Sequence, residues 1–501
     1  MIYGGMILVF VVDGLRPDAF NAEDTPTLER LRREGVDFVA GHSVFPTVTR
    51  VNAATIATGA QPATHGIVGN QMYAPAVHPT RAFGTDGWKN LVKLDEATEG
   101  RLVFVPTLAE RLQAQDKRLA AVSSGSTGSA FLLNPRAPRG VGILINGYLE
   151  PGTRVAYPDA VNAAVLARFG PAPAKGGRTE RYDPVVDWTQ TVLADYVIPE
   201  LRPDVVVNWM TEPDHIQHAL GAGSPDARAA IRNADTQIER VLRRAGTIGL
   251  DDEPNVFVVS DHGFGVNTGT VDVTGALIDA GLKAGPDSDD VIVASSGQAM
   301  ALHVKDRSAD RIHKLVAYLH ARPWIGVIFT RPGNGGAETQ GSVAGTFSLA
   351  LIHGHDDARG GDILFTFPWT SNRNGFGIPG TDVGDASSPV TSDHGSMSPW
   401  NIRNTLVAWG PGFKSGVTIR TPAGNVDVAP TVLQLLGLDS EGPGLDGRVL
   451  HEALANGPDE EQVVAETRSH TVATTDDSYR AVVQTSEVAG RRYVDKGWRI
   501  T

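Results

Sequence analysis

The chain has 501 residues, 41% of them hydrophobic and 20% charged, which is the balance of an ordinary globular protein and too long for one simple core. A formal net charge of −13 leaves no broad basic face, so a nucleic-acid polymer is not expected as a partner. With no cysteine in the chain, disulfides, thiolate metal sites and cysteine nucleophiles are excluded.

Taken in chain order, the first element is the apolar run MILVFVV (6–12), which has no basic flank or cleavage site and ends at Asp13. It reads as a buried first strand rather than a signal peptide, and on that ground a cytoplasmic location is expected, with a periplasmic or secreted one if a leader was removed. No run approaches the roughly 20 apolar residues of a membrane span. The stretch VFPTVTRVNAATIATG (44–59) reads as a strand end, a loop and a helix of small residues, with Thr47 and Thr49 just ahead of the helix. A hydroxyl there is either a cap or a group waiting for an anion. The helix PTLAERLQAQDK leads into the strand RLAAV (118–122), and the Pro-, Gly- and Arg-rich residues 135–185 read as a loop excursion. DVVVNWM (204–210) and NVFVVS (255–260) are further strands, followed by TEPDHIQHALG and DHGFG. QAMALHV, ADRIHKLVAYLHA and IGVIFTR read as strand, helix and strand, a small α+β cap inserted at 276–345. NTLVAWG (404–410) follows SDHG, and the polar tail after about 455 shows little pattern beyond a candidate final strand, RRYVDKGWRIT. The alternation predicts a doubly wound, mostly parallel α/β sheet flanked by helices, formed by 1–275 and 346–501.

The loops after these strands gather carboxylates and imidazoles. Asp13 ends the first strand, Asp214 and His218 stand one helical turn apart, Asp261 and His262 end another strand, and His394 lies in SDHG. The carboxyl ends of strands in such a sheet converge on one crevice. Three Asp and three His there suffice for two divalent ions, and mixed carboxylate and imidazole donors suit zinc, with manganese or iron as alternatives. Two such ions can clamp the oxygens of a phosphoryl displacement.

With these residues in view, the chain resembles the alkaline phosphatase superfamily, and within it the nucleotide pyrophosphatase/phosphodiesterase group with its phosphonoacetate hydrolase relatives. The segments that carry the resemblance are VVDGLRPD, FPTVTRVNAATIATGAQPATHGIVGN, MTEPDHIQHALG, VVSDHGFG and SDHGSMSPWNIRNTLVAWGPGF. The resemblance implies one metal on Asp214, His218 and His394 and another on Asp13, Asp261 and His262. It implies that Thr49, ten residues before Gly59, bridges both ions as the nucleophile, and that Asn70 donates to a nonbridging phosphate oxygen. The implied reaction is hydrolysis of a small phosphate diester through a phospho-threonine, with phosphonate or phosphate-monoester hydrolysis as the alternative on the same site. TRVN departs from the family pattern beside the nucleophile and puts Arg50 there. Arg50, Lys89 (with Lys93 nearby) and Tyr73 are candidate substrate contacts, and Trp209 could stack on a ring or simply fill the core. Thr47 reads as a loop stabiliser, and HGHDDARGGD (353–362) as a solvated loop rather than a metal cluster. The sequence sets no oligomeric state.

Overall fold

Strand β1 (Ile7–Val12) is buried along its whole length, because its two faces feed two cores. Ile7, Val9 and Val11 join one hydrophobic cluster, and Leu8, Phe10 and Val12 join the other. A strand covered on both faces must be apolar at every position, which is why it reads as a continuous run rather than an alternation. The computed structural model describes residues 5–247, 253–333 and 338–500.

The sheet built on β1 also contains β2 (Val36–Phe38), β3 (Leu119–Ser123), β4 (Ile143–Asn146), β5 (Ala156–Tyr157), β6 (Val205–Met210), β7 (Asn255–Val259), β8 (Leu406–Trp409) and β9 (Val417–Ile419). The spatial order is β9-β2-β8-β7-β1-β6-β3-β4-β5. Strands β7, β1, β6, β3 and β4 run parallel, while β5 and β8 are antiparallel to their neighbours. The register pairs Val11 with Val259 and Val12 with Met210, so the carboxyl ends of β7, β1 and β6 lie side by side.

Among the described residues, three smaller sheets of three to five strands and two two-stranded pairs accompany this one. A five-stranded sheet takes Val291–Ser296, Ala299–Val304, Ile328–Thr330, Phe347–Ser348 and Ile363–Thr366, with the helix Ala309–His320 between its second and third strands. Its last strand lies beyond the 276–345 boundary read from sequence, because Ile363–Thr366 is the strand that joins Ala299–Val304 to Ile328–Thr330. A four-stranded sheet of Gly265–Val271, Trp369–Arg373, Pro379–Asp385 and Ser392–Asp393 carries the chain back toward the centre. The tail is an antiparallel sheet of Ala465–Ala473, Arg480–Val488 and Arg491–Ile500. Tyr479, Ala481, Val483 and Val494 of this region pack into the same core as the five-stranded sheet.

Residues 135–185 are not a loop excursion. They hold β4 and β5 and the helix Asp159–Phe169, and they extend the main sheet to its edge. Strands of four and two residues are too short to show a period.

One buried group gives this fold an acid limit. His65 closes the turn Pro62–His65 and is fully buried, with Nδ1 accepting from the Ile67 N–H at 3.1 Å and Nε2 donating to Thr55 Oγ1 at 3.0 Å. Burial, with a smaller contribution from Arg359, holds its pKa at about 3 against an ordinary 6.5. Between those values the unfolded chain binds a proton that the folded chain refuses, so stability falls as pH drops from 6.5 toward 3. We expect this group to contribute a slope of up to about 1.4 kcal/mol per pH unit. His65→Asn should lack that part when urea midpoints are compared between pH 7 and pH 5, and equal slopes in the two proteins would refute it.

Candidate active-site cleft

Helix α1 (Thr49–Thr58) starts the site. Its residues are small and almost all buried, and it ends on Gly59 in the left-handed conformation, whose N–H returns to the Thr55 carbonyl at 2.7 Å. The residue capping its start is Val48, which has no side-chain acceptor. Thr49 is therefore the first helical residue and not a cap. The N–H of Arg50 is taken instead by Asn70 Oδ1 at 3.2 Å. Asn52 holds the incoming loop by accepting from the Val44 N–H and donating to the Val44 and Val48 carbonyls.

Asp13 follows β1, Asp261 and His262 follow β7, and Asp214 opens helix α2 (Asp214–Leu220), which also carries His218. His394 follows the strand Ser392–Asp393. The six side chains form two groups. The donor atoms of Asp214, His218 and His394 lie within 4.8 Å of one another, and so do those of Asp13, Asp261 and His262. The groups adjoin: His262 Nε2 is 3.6 Å from Asp13, 3.0 Å from Asp261 and 4.0 Å from Asp214. His218 and His394 place Nε2 at 3.4 and 3.5 Å from Asp214 Oδ1. The rings of His262 and His394 stack at 3.5 Å.

Each histidine is oriented by its other nitrogen. The Nδ1–H groups of His218, His262 and His394 donate to the carbonyls of Ser392, Gly263 and Thr47 at 2.9, 3.0 and 2.9 Å. This leaves Nε2 of each neutral ring with its lone pair toward the cluster. The carboxylates follow the same rule. Asp13 Oδ2 accepts from Trp209 Nε1 at 3.0 Å, and Asp261 Oδ1 from the Gly14 N–H at 3.0 Å. Asp13 Oδ1, Asp261 Oδ2 and Asp214 Oδ1 are buried and have no hydrogen-bond partner among the described residues. Orphaned carboxylate oxygens beside imidazole lone pairs are the donor set a divalent cation completes, so the residues present fit the two ions expected from sequence.

The electrostatics show the same need. Burial raises the pKa of Asp13, and the charges of Asp214 and Asp261 raise it further. Burial would also raise Asp214, but His218, His394 and His262 outweigh it and hold the carboxyl well below the usual range. Burial opposes the charged form of His218, yet Asp214 lifts it to about 9. His394, buried beside His262, is pushed well below the ordinary histidine value. A bound cation would stand in for the shared protons.

Thr49 lies at this junction, 3% exposed, with its hydroxyl donating to His262 Nε2 at 3.2 Å. Thr47 is fully buried and is a loop strut, as expected: Oγ1 donates to the Ser396 carbonyl and accepts from the Gly395 N–H. Asn70 has its own N–H on Ser296 Oγ and its carbonyl on Thr85, which leaves its side-chain NH2 free. A cleft of about 390 Å³ opens over Thr49, Arg50, Asn70, Asp214, His218 and His394.

Other expected residues are not brought there. Lys89 and Lys93 are exposed on the helix Trp88–Ala97, and neither lines the cleft. Tyr73 donates to the Pro79 carbonyl, has its ring edge against His303, and lies outside the cleft wall. Trp209 is fully buried and holds Asp13, so it offers no face to a ligand. The segment 353–362 is not simply solvated. Arg359 is buried and donates to the Gly66, Leu102 and Arg101 carbonyls, tying this loop to the one that leads to Asn70.

Sequence reasoning missed Asp393, which lines the cleft, accepts from the His394 N–H and lies 3.7 Å from His218 Nδ1. The repeated Asp-His pair, Asp261-His262 and Asp393-His394, was the available signal. Ser295 and Gly297 of the five-stranded sheet also line the cleft. The fit there is close: a Cβ on Gly297 would strike the His394 carbonyl, and one on Gly395 would strike the Ser296 carbonyl.

A mostly parallel α/β sheet with these clusters at the ends of adjacent strands is the architecture of the alkaline phosphatase superfamily. The family model described as type I phosphodiesterase / nucleotide pyrophosphatase matches residues 7–323, and the chain belongs to that family. An uncharacterized pyrophosphatase/phosphodiesterase of Schizosaccharomyces pombe is 23% identical over 262 residues, 52% of this chain and 45% of that protein. Ectonucleotide pyrophosphatase/phosphodiesterase family member 1 of Rattus norvegicus is 24% identical over 259 residues, 51% of this chain and 24% of that protein. A bis(5′-adenosyl)-triphosphatase of Bos taurus is 25% identical over 258 residues, 51% of this chain and 47% of that protein. The match thus spans less than half the length of each of these relatives. Murine ectonucleotide pyrophosphatase/phosphodiesterase 5 shares the fold, with a TM-score of 0.59 at 15% identity, over 90% of this chain and 100% of that one. No described helix is long and apolar enough to cross a membrane. The "ecto" in the relatives' names gives no support to the cytoplasmic location expected from sequence.

If each cluster holds an ion, zinc-loaded protein carries two equivalents, and Asp261→Asn or His394→Ala carries fewer by elemental analysis. Two full equivalents in both variants would sink the ligand assignment.

Proposed function

We propose that the chain hydrolyses small phosphate diesters in this cleft, with Thr49 as the nucleophile. The observation that carries this reading is the Thr49 hydroxyl, uncapping and buried, 3.2 Å from His262 Nε2 where the two carboxylate–imidazole groups adjoin. Asp214, His218 and His394 would hold one divalent ion, and Asp13, Asp261 and His262 the other. Zinc suits this donor set, with manganese or iron as alternatives. When bound, such ions neutralise the buried carboxylates and supply Lewis acidity for charge developing on phosphoryl oxygens and on a nearby hydroxyl.

The chain's own groups do the rest. The start of α1 presents the positive end of its dipole to the anionic phosphoryl group. Asn70, its amide oxygen fixed on the Arg50 N–H, has Nδ2 free to donate to a nonbridging oxygen. Thr49 Oγ forms a bond to phosphorus as the ester oxygen of the leaving group departs with the hydroxyl proton, giving a phospho-threonine. Water then attacks the same phosphorus, and Thr49 Oγ leaves and regains its proton. Each half-reaction is an in-line displacement, and the fixed position of α1 supplies the alignment.

Family membership supports the reaction class. The solved structure of the murine relative in complex with AMP is described as inactive and carries a threonine-to-alanine substitution, in keeping with a threonine nucleophile in that protein. We read the five-stranded sheet as a cap on the core of 1–275 and 346–501 that shapes substrate choice through Ser295 and Gly297. The phosphonate alternative loses its residue support here, since Lys89 and Lys93 stand outside the cleft.

Thr49→Ala should keep the fold and the metal content yet lose at least about a thousandfold in kcat on p-nitrophenyl thymidine 5′-monophosphate, the scale of a lost nucleophile. Near-normal turnover by that variant would end the mechanism. Chelation with EDTA should abolish wild-type turnover, and zinc should restore it.

A further inference from the structure

Two arginines line the cleft and neither has a part in the mechanism above: Arg178 is exposed and donates to the Pro389 carbonyl, whereas Arg50 stands beside Thr49. Its backbone is fixed, since its N–H donates to Asn70. Its side chain lines the cleft beside Thr49, its Nε is buried without a partner, and it makes no ion pair among the described residues. A desolvated guanidinium donor left unpaired is costly, so the position is one that a ligand completes. The cleft's carboxylates do not fill that role. Asp214 belongs to the His cluster, Asp393 faces His218 and the His394 N–H, and Asp385 is closed on Ser387. Asp86, the remaining lining carboxylate, is exposed. Among the described residues the lining contains no Phe, Tyr or Trp, and its one ring outside the two clusters is His215, already stacked on Tyr182 at 3.6 Å.

We infer that Arg50 is a specificity residue whose guanidinium binds a second oxyanion, phosphate or carboxylate, carried by the leaving group of the substrate. The planar fork of a guanidinium is suited to such a group. The inference rests on the reading of the cleft as a site of diester hydrolysis.

The test uses three thymidine 5′-phosphoryl compounds that transfer the same group and differ in what leaves: p-nitrophenol, 4-carboxyphenol or pyrophosphate. Arg50→Ala should lose at least about tenfold more kcat/KM on the pyrophosphate or carboxyphenyl compound than on the nitrophenyl ester, mainly through KM. A selective loss on the pyrophosphate compound assigns a phosphate partner, and a selective loss on the carboxyphenyl compound assigns a carboxylate. Arg50→Lys should recover part of the selective loss, and metal content and melting temperature should match wild type in both variants. The same ligands are titrated by calorimetry against Thr49→Ala protein with and without Arg50→Ala. Binding losses that favour the anionic leaving groups, without turnover by wild type, would uphold Arg50 and overturn the hydrolysis reading. Equal losses across all three ligands, or none, would overturn the role of Arg50.

Discussion

The rest of the site depends on one electrostatic conflict. Asp13 and Asp261 follow the ends of two adjacent parallel strands and Asp214 opens the helix after a third, and among the described residues each keeps one buried oxygen unpaired. Like charges brought together away from water resist ionisation, which is the direction in which Asp13 is displaced. Such a cluster persists in a fold only where a cation or shared protons compensate. The remaining contacts keep the conflict from relaxing. Trp209 and the Gly14 N–H hold the other oxygens of Asp13 and Asp261, and three backbone carbonyls fix the tautomers of the three histidines. The scaffold thus spends its stability on holding donor atoms toward a point rather than on pairing them.

The smaller sheets are part of that scaffold and not an appendage. The turn between the first two strands of the five-stranded sheet passes so close to His394 that glycine is needed on both sides, at Gly297 and Gly395. The Gln298 N–H donates to the His394 carbonyl, and Ser296 Oγ accepts from the Asn70 N–H. One turn therefore touches a candidate ligand and the candidate oxyanion donor together. Changes in this sheet act on the chemistry through two backbone contacts, which gives a physical basis for its influence on substrate choice.

The legible part of the site was the part written locally. A strand buried on both faces must be a continuous apolar run, and the residue that follows it lies at the crevice, so Asp13, Asp261 and His262 could be placed from sequence alone. Asp214 and His218 were legible from their spacing on one helix. What sequence did not show depends on distance along the chain. Nothing near Trp209 marks it as the partner of a carboxylate 196 residues away. Lys89 and Tyr73 are near Asn70 in sequence, but the helix Trp88–Ala97 and the Pro79 loop turn them elsewhere. In the tail only the last strand, Arg491–Ile500, was legible, because the first, Ala465–Ala473, is exposed at nearly every position and carries no core face to give it a period.

The Thr49 hydroxyl is relieved of capping by an exchange of partners at the helix start. At an ordinary helix start a side-chain oxygen at the capping position takes the N–H groups two or three residues on. Here that position is Val48, and a separate loop supplies the acceptor through Asn70. The exchange has two consequences at once. It leaves the Thr49 hydroxyl unspent at the positive end of the helix, and it locks the Asn70 amide so that its NH2 group, rather than its oxygen, is the free end. A hydroxyl capping its own helix could serve only by breaking that bond during each turnover. A hydroxyl relieved of capping by a second loop is already oriented before a substrate arrives, which is the preorganisation that electrostatic catalysis requires.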